Sequence, residues 1–343
     1  MQPGQQSGVF PRSSVLVVCF DNLGDLVFTS ALFPPLRAAF PRARLGLWCK
    51  AYARPLAELV PDADEVFASD PFWDKAPGQG KGSLRRFTRE LFRVADRDYE
   101  TALIVSLRWQ AAAAARLAGA RERIGAQGRR NRPWLTTCLP ARDRARPVLE
   151  DMGRLLVPLG LPAGPLVYRL HPPPPLPHPV PALTVVLHPF ASQATRCANL
   201  TVWASFAQSL AADGWAVVWF GTPLELARLR AEQGGHVEGH GFADDLTGGD
   251  LLAGVSLIAA AHAFVGNDSG PMHVAAALGV PTLGVFTPGE PLRTFPQGPG
   301  PSDVLVRDAP VGVTPDDLVR AFARLRSVQR PESTRTRDLE IRS

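Results

Sequence analysis

Asp25 closes a short polar turn, DNLGD (21–25), directly behind the continuous apolar run VLVVCF (15–20). In parallel α/β sheets ligands collect at the carboxyl ends of strands, so a carboxylate at this point can serve as a general base. It can equally cap the helix that follows, because Asp is a favoured capping residue. Asp21 is the competing carboxylate, and Gly24 admits a tight turn or the close approach of a ligand. A second cluster is GNDSGPMH (266–273). Gly266 and Gly270 allow unusual backbone angles, and Pro271 suits the first turn of a helix. Backbone N–H groups at such a helix start form an anion site matched to a phosphate or diphosphate. The plain alternative is an ordinary helix capped by Asp268 or Ser269, with His273 a satisfied buried histidine. The loop HPFASQATRCAN (188–199) carries Ser192 and Arg196, whose planar fork can pair with phosphate oxygens. Glu225 opens a helix after WFGTP, where it could hold ribose hydroxyls or simply complement the helix dipole. The stretch KGSLRRFTRELFR (81–93) is basic and amphipathic. It could meet an anionic acceptor or a membrane surface, or be a solvated face over ordinary core positions.

Several chemistries lack their signatures. G-x-G-x-x-G and the P-loop are absent, which weakens a dinucleotide dehydrogenase, and no Gly-x-Ser-x-Gly marks a hydrolase elbow. No His, Cys or Asp cluster has metal-ligand spacing. The pairs Asp62/Asp64 and Asp96/Asp98 precede strands, the wrong end for clamping a metal–diphosphate. The four cysteines include no Cys-x-x-Cys pair, so neither a zinc ribbon nor a disulfide framework is expected, and a reducing cytoplasm is the simplest setting.

These residues need strand ends and helix starts to hold them, and the chain supplies both. In the first half, strand patterns at 15–20, 44–48, 65–68 and 101–106 alternate with helical patterns at 26–40, 84–95 and 110–117, the first interrupted by Pro34 and Pro35. In the second half, strands at 183–188, 215–220, 263–265 and 281–286 alternate with helices at 201–212, 224–233, 250–261 and 315–326, with Thr201 a plausible N-cap. Such alternation argues for parallel α/β sheets. Between the halves, HPPPPLPHPVP (171–181) can continue neither a helix nor a central strand and reads as a semi-rigid linker. With 343 residues, two domains are expected: 14–165, a linker at 166–182, 183–327, and a frayed tail at 328–343. The polar N-terminus lacks the apolar core of a signal peptide, and no stretch offers an apolar membrane span. A net charge of +5 favours anionic partners, but no aromatic-interleaved basic patch suggests nucleic acid.

Taken together, the pieces resemble glycosyltransferase family 9, the ADP-heptose:lipopolysaccharide heptosyltransferases, over about residues 14–325. The resemblance runs through VLVVCFDNLGDLVFTSALFPPLRAAFPRARLGLWC, DYETALIVSLRWQAAAAARLAGARERIG and VLHPFAS, and is most specific in VGNDSGPMHVAAALGVPTLGVFTP. It implies an α/β GT-B fold of two Rossmann-like domains facing a central cleft. The N-terminal domain would bind the acceptor and the C-terminal domain the nucleotide-sugar, with no obligatory metal or other cofactor and ADP-heptose as donor. Asp25 falls on the proposed catalytic base. Arg196 falls where a Lys contacts the donor phosphates, and Glu225 lies near the nucleoside-binding acid. Asp268, Ser269 and Gly270 match the donor turn, flanked by Asn267 and His273, with Gly24 and Ser192 in nearby loops. Two departures stand out: Ser269 replaces the usual Thr, and the usual K-x-W-P reads Arg196-Cys-Ala-Asn. The resemblance further implies inverting transfer to a lipid-linked inner-core acceptor, in the cytoplasm or peripheral on the inner membrane. It leaves open a metabolite or protein acceptor, another nucleotide-sugar, a GT-B-like nucleotide-sugar epimerase and a binding protein without turnover.

Overall fold

The computed structural model describes residues 12–74, 81–128, 130–191, 193–232, 240–287 and 291–328. The chain divides into two compact units that meet between His171 and Pro172.

In the first unit the order is β1 Ser14–Cys19, α1 Leu23–Ser30, α2 Phe33–Ala39, β2 Arg44–Cys49, α3 Arg54–Ala57, β3 Glu65–Ala68 and α4 Leu84–Ala95. Then come β4 Thr101–Ile104, α5 Trp109–Leu117, β5 Glu122–Ala126, β6 Thr137–Leu139 and α6 Val148–Gly153. In the second it is β7 Thr184–His188, α7 Leu200–Ala212, β8 Ala216–Trp219, α8 Pro223–Glu232, β9 His240–Phe242, α9 Ala243–Thr247 and α10 Leu251–Ala260. Then come β10 Ala263–Asn267, α11 Gly270–Ala277, β11 Thr282–Phe286, α12 Pro291–Thr294, β12 Ser302–Val306 and α13 Pro315–Val328.

Both sheets are parallel throughout. The first runs β3-β2-β1-β4-β5-β6 and the second β9-β8-β7-β10-β11-β12. Numbered from its own first strand, each is 3-2-1-4-5-6, the Rossmann order, whose reversal point between the first and fourth strands is where ligands bind. The central strands are buried along their whole length: all six residues of β1 and all five of β7 and β10. That burial on both faces explains why they read as largely apolar runs.

The side chains that cover these faces also fix the loops. Phe20 meets Trp48, Trp73 and Phe87 edge-on at 5.1, 6.1 and 5.9 Å between ring centroids, locking the loop after β3 onto the sheet. In α5, Ala111–Ala115 are all buried, small enough for the helix to lie close to the strands. In the second unit Phe322 of α13 packs edge-on against Phe206 and Trp215.

The structure adjusts the expected elements. The helical pattern at 26–40 is interrupted, as expected, but ahead of the prolines: the chain breaks after Ser30 and restarts, with Pro34 and Pro35 in the first turn of α2, where a missing N–H costs nothing. Asn199, not Thr201, caps α7, its side-chain oxygen accepting the Thr201 N–H at 3.0 Å. Of the expected linker, residues 166–171 pack on the first unit. Tyr168 is fully buried against Phe28, the Arg169 N–H donates to Ser30 Oγ at 3.3 Å, and the His171 N–H donates to Leu59 O at 2.7 Å. The polyproline letters hid an apolar anchor just before them. Of the tail, only Val328 lies among the described residues, as the last residue of α13.

Candidate functional site

Two polar corners form, one in each unit, both at the carboxyl ends of central strands.

In the first unit, β1 runs into Asp21 and Asn22, and α1 starts at Leu23. Asn22 is the N-cap and Asp25 the third helical residue, so Asp25 is the returning arm of a capping box rather than the cap itself. The Asn22 N–H donates to Asp25 Oδ2 at 3.3 Å. Gly24 lies in the first helical turn without a positive φ, so the turn does not need glycine for its angles. Asp25 is partly exposed, yet its pKa is raised to about 6: desolvation of its carboxyl and then the charge of Asp21 push it up, and the Asn22 N–H, Arg142 and Lys50 only partly offset them. The surroundings are rigidly built. Ser106, just after β4, donates its hydroxyl to Asp21 Oδ2 at 2.7 Å and accepts the Phe20 N–H at 2.8 Å. Lys50, the residue after β2, is buried; its Nζ lies 3.1 Å from Asp74 Oδ2 and donates to Asn22 Oδ1 at 3.5 Å. Arg142, beyond β6, donates to the Val105 carbonyl. The result is a carboxyl poised to take or give a proton near neutral pH, with two fixed cations close enough to temper its pKa.

In the second unit, β10 ends in Asn267, and Ser269 is the N-cap residue of α11. The Ser269 hydroxyl does not cap: it donates backwards to Asn267 O at 3.0 Å, and no side chain accepts from the first turn of α11. Pro271 occupies that turn. The helix therefore keeps its orphan N–H groups and positive dipole end for an anion. Asp268 is nearly buried and holds three neighbours: Arg196 Nη1 at 3.2 Å, the Thr294 hydroxyl at 3.2 Å and His273 Nε2 at 3.8 Å. Asn267 donates through Nδ2 to Pro189 O at 2.7 Å, tying this turn to the loop after β7. Its buried Oδ1 finds no donor among the described residues. Gly266 is needed for close approach and not for unusual angles: a Cβ there would sit 2.7 Å from Phe264 and 3.1 Å from the His188 carbonyl. Gly270, likewise without a positive φ, is the first residue of α11.

His188, at the end of β7, is buried. Burial lowers its pKa, partly offset by the Phe220 carbonyl 2.9 Å from Nδ1 and by Glu225, so it is a neutral ring at physiological pH. Glu225 Oε2 accepts from both the N–H and the hydroxyl of Thr222 at 2.8 Å. This is the Thr-x-x-Glu capping box of α8. Ser192 lies outside the described residues.

The structure thus brings Arg196, Asn267, Asp268, Ser269, Gly270 and His273 together in one unit, and Gly24 and Asp25 in the other. Lys50, Asp74, Ser106, Arg142 and Thr294 were not foreseen. Lys50 carried the clearest signal: it is a lone lysine immediately behind a strand-like run. Among the described residues, no three His, Cys, Asp or Glu side chains stand together as a metal site, and no helix is long and apolar enough to cross a membrane.

Comparison with known proteins places these corners in context. The family model for glycosyltransferase family 9 (heptosyltransferase) matches residues 85–308. Lipopolysaccharide heptosyltransferase 2 of Escherichia coli K12 is 25% identical over 315 residues, covering 82% of this chain and 85% of the relative. The namesake of Salmonella typhimurium is 25% identical over 310 residues with the same coverage. Among solved structures, E. coli ADP-heptose lipopolysaccharide heptosyltransferase II superposes with a TM-score of 0.73 at 21% identity, over 91% of this chain and 98% of that one. An E. coli heptosyltransferase solved with ADP does so with a TM-score of 0.73 at 15% identity, over 91% and 99%. Likeness at that level shows the fold, two Rossmann-like α/β units of the GT-B type.

Proposed function

The chain belongs to glycosyltransferase family 9 and is a glycosyltransferase, and from that premise we propose that it moves a heptose from ADP-heptose to a hydroxyl of a lipopolysaccharide inner-core acceptor, with Asp25 as general base. The observation that carries this reading is the Asp25 carboxyl, held in a capping box with its pKa raised to about 6. A base must be ionised at working pH yet basic enough to accept a proton in the transition state, and a value near neutrality meets both needs.

Asp25 takes the proton of the acceptor hydroxyl as its oxygen bonds to the anomeric carbon. The bond from that carbon to the diphosphate breaks, and ADP leaves with the electron pair. Direct displacement inverts the anomeric centre. The growing charge on the diphosphate is met by the uncapped start of α11 and by Arg196, which Asp268 orients; fixed donors aimed at developing charge are the strongest electrostatic aid a site can offer. On this reading, those groups make a metal unnecessary. Asn267, Ser269 and His273 shape the donor turn, and Glu225, already committed to Thr222, stiffens the start of α8 beside it. The acceptor is lipid-linked, and the enzyme works in the cytoplasm at the inner face of the membrane.

A thermal-shift panel of ADP, ADP-heptose, UDP-sugars, GDP-mannose and NAD tests the donor, since a ligand that binds only the folded state raises its midpoint. Selective stabilisation by ADP and ADP-heptose is expected. A shift with another nucleotide and none with ADP discards heptosyl transfer and leaves the family intact. Conversion of the donor without an acceptor would point to an epimerase instead.

A further inference from the structure

One surface is explained by neither corner. On α4, Leu84, Thr88 and Phe92 recur at every fourth residue and form a single stripe. Leu84 is 59% exposed and Phe92 63%, while Phe87, Glu90 and Val94 on the opposite face are buried in the core. Phe72, 40% exposed, packs edge-on against Phe87 at 5.8 Å, on the buried side of the helix. Arg85 and Arg89 lie along one side of the stripe, with Arg86 and Arg93 further round, all exposed. Arg93 is paired with Glu90 at 2.8 Å. Arg85, Arg86 and Arg89 form no ion pair with any described residue. Glu90 is turned inward, accepting the Ala68 N–H at 3.0 Å, so the only carboxylate on the outer face is Asp96, beyond the last turn.

Two large exposed apolar side chains on a 12-residue helix, edged by unpaired arginines, match what an anionic bilayer surface binds. The apolar tips enter the boundary between headgroups and acyl chains, and the guanidinium groups meet lipid phosphates. A soluble phosphorylated ligand would use the arginines but gain nothing from Phe92 or Leu84. The position fits too. The loop before α4 holds Asp74, ion-paired to Lys50, which contacts Asn22 beside Asp25.

We propose that the outer face of α4, with Leu84 and Phe92 as apolar anchors and Arg85, Arg86 and Arg89 as phosphate contacts, docks the protein on an anionic phospholipid bilayer with the Asp25 corner at that surface. This rests on the lipid-linked acceptor proposed above only for its purpose; the adsorption itself depends on the helix alone.

The test is co-sedimentation of the full chain with vesicles of phosphatidylcholine alone and of a phosphatidylcholine–phosphatidylglycerol mixture, at low and high salt. Wild type should partition onto the anionic vesicles and stay in solution with neutral ones. Replacing Arg85, Arg86 and Arg89 by Gln should weaken partition by about a hundredfold, at roughly fivefold for each basic group. Phe92→Ser should weaken it by about tenfold through lost apolar burial. All four positions are exposed, and circular dichroism checks that the variants fold. A control with Arg121→Gln, Arg228→Gln and Arg324→Gln removes the same charge elsewhere and should change partition far less. Equal partition of wild type and the α4 arginine variant overturns the proposal. So does equal loss in the control, or a Phe92→Ser variant that binds as wild type. ADP binding and transfer to a detergent-dispersed acceptor separate the two ideas: both should persist in the α4 variants, and their absence from wild type would sink the proposed function while leaving vesicle partition untouched.

Discussion

The corner around Asp25 and the corner around Asp268 are built on the same plan and finished oppositely. Each lies at the reversal point of a 3-2-1-4-5-6 parallel sheet, at the step from a central strand into a helix, and each contains an aspartate. In the first, the helix start is closed by its own residues: Asn22 caps, and Asp25 reaches back to the Asn22 N–H. The carboxyl forms no ion pair with any described residue, and desolvation, followed by the charge of Asp21, raises its proton affinity. In the second, the helix start is open, because Ser269 turns its hydroxyl to Asn267. Asp268 is held by Arg196, Thr294 and His273. A carboxylate with a guanidinium at 3.2 Å is an anchor and not a base. On the proposed reading, one fold position yields a proton acceptor or an anion cradle, according to whether the aspartate serves the helix or the helix is left for a ligand.

The sharpest way to break the comparison is to remove the proposed base. Asp25→Asn keeps an oxygen for the capping box but cannot accept a proton. Transfer should fall about a thousandfold, while the ADP-induced thermal shift stays the same. Loss of ADP binding in this variant would mean that the two corners are not specialised as argued. The reverse experiment is Arg196→Ala, which should weaken ADP about tenfold to a hundredfold, the range for losing a charge-assisted hydrogen bond to phosphate. It should leave the pH dependence of transfer where it was. An ADP affinity within twofold of wild type would remove Arg196 from the donor site.

The pH profile sharpens the first corner further. With Asp25 at about 6, kcat/KM should fall tenfold per pH unit below that point, and Asp25→Asn should lose the dependence along with the rate. The same shift has a stability signature of definite sign. An aspartate of pKa about 6 in the fold and near 4 unfolded keeps its proton longer when folded. Stability therefore declines as pH rises from about 4 to about 6, and the loss is complete above that window. Asp25→Asn escapes the penalty. Discounted for partial exposure, the gain is about 1–2 kcal/mol. It should raise the unfolding midpoint by a few degrees at pH 8 and shrink towards pH 4. A variant no more stable than wild type at pH 8 would show that the carboxyl is not desolvated.

Much of this was legible in the letters, for reasons that can be named. β1, β7 and β10 announce themselves because burial on both faces leaves mainly apolar residues, and the two chemical turns are polar interruptions at their ends. Strands β5, β6, β9 and β12 went unnoticed. The run ERIGA and the three-residue TCL and HGF are too short or too polar to stand out, and they form because a neighbouring strand offers its edge. Asn267 and Asp268 were readable as a cluster, but the direction of the Ser269 hydroxyl was not, since a serine before a helix looks the same whether or not it caps. Lys50, Ser106 and Arg142 reach Asp21 and Asp25 from three different strand ends. Only the strand order brings those ends together, and no local pattern encodes it.

The smallest predicted effect bears most directly on the contrast. Asn22→Ala removes a cap and should cost about 1 kcal/mol of stability. Ser269→Ala removes a hydroxyl that caps nothing and should cost less. Its effect on ADP affinity should stay within about threefold, because the anion is met by backbone N–H groups that alanine leaves in place. Differential scanning calorimetry of the two variants and ADP titration of the second provide the comparison. A Ser269→Ala loss beyond about tenfold in ADP affinity would mean that the hydroxyl swings from Asn267 to the diphosphate on binding. The second corner would then be an arrangement completed by its ligand, unlike the first, whose partners are all in place beforehand.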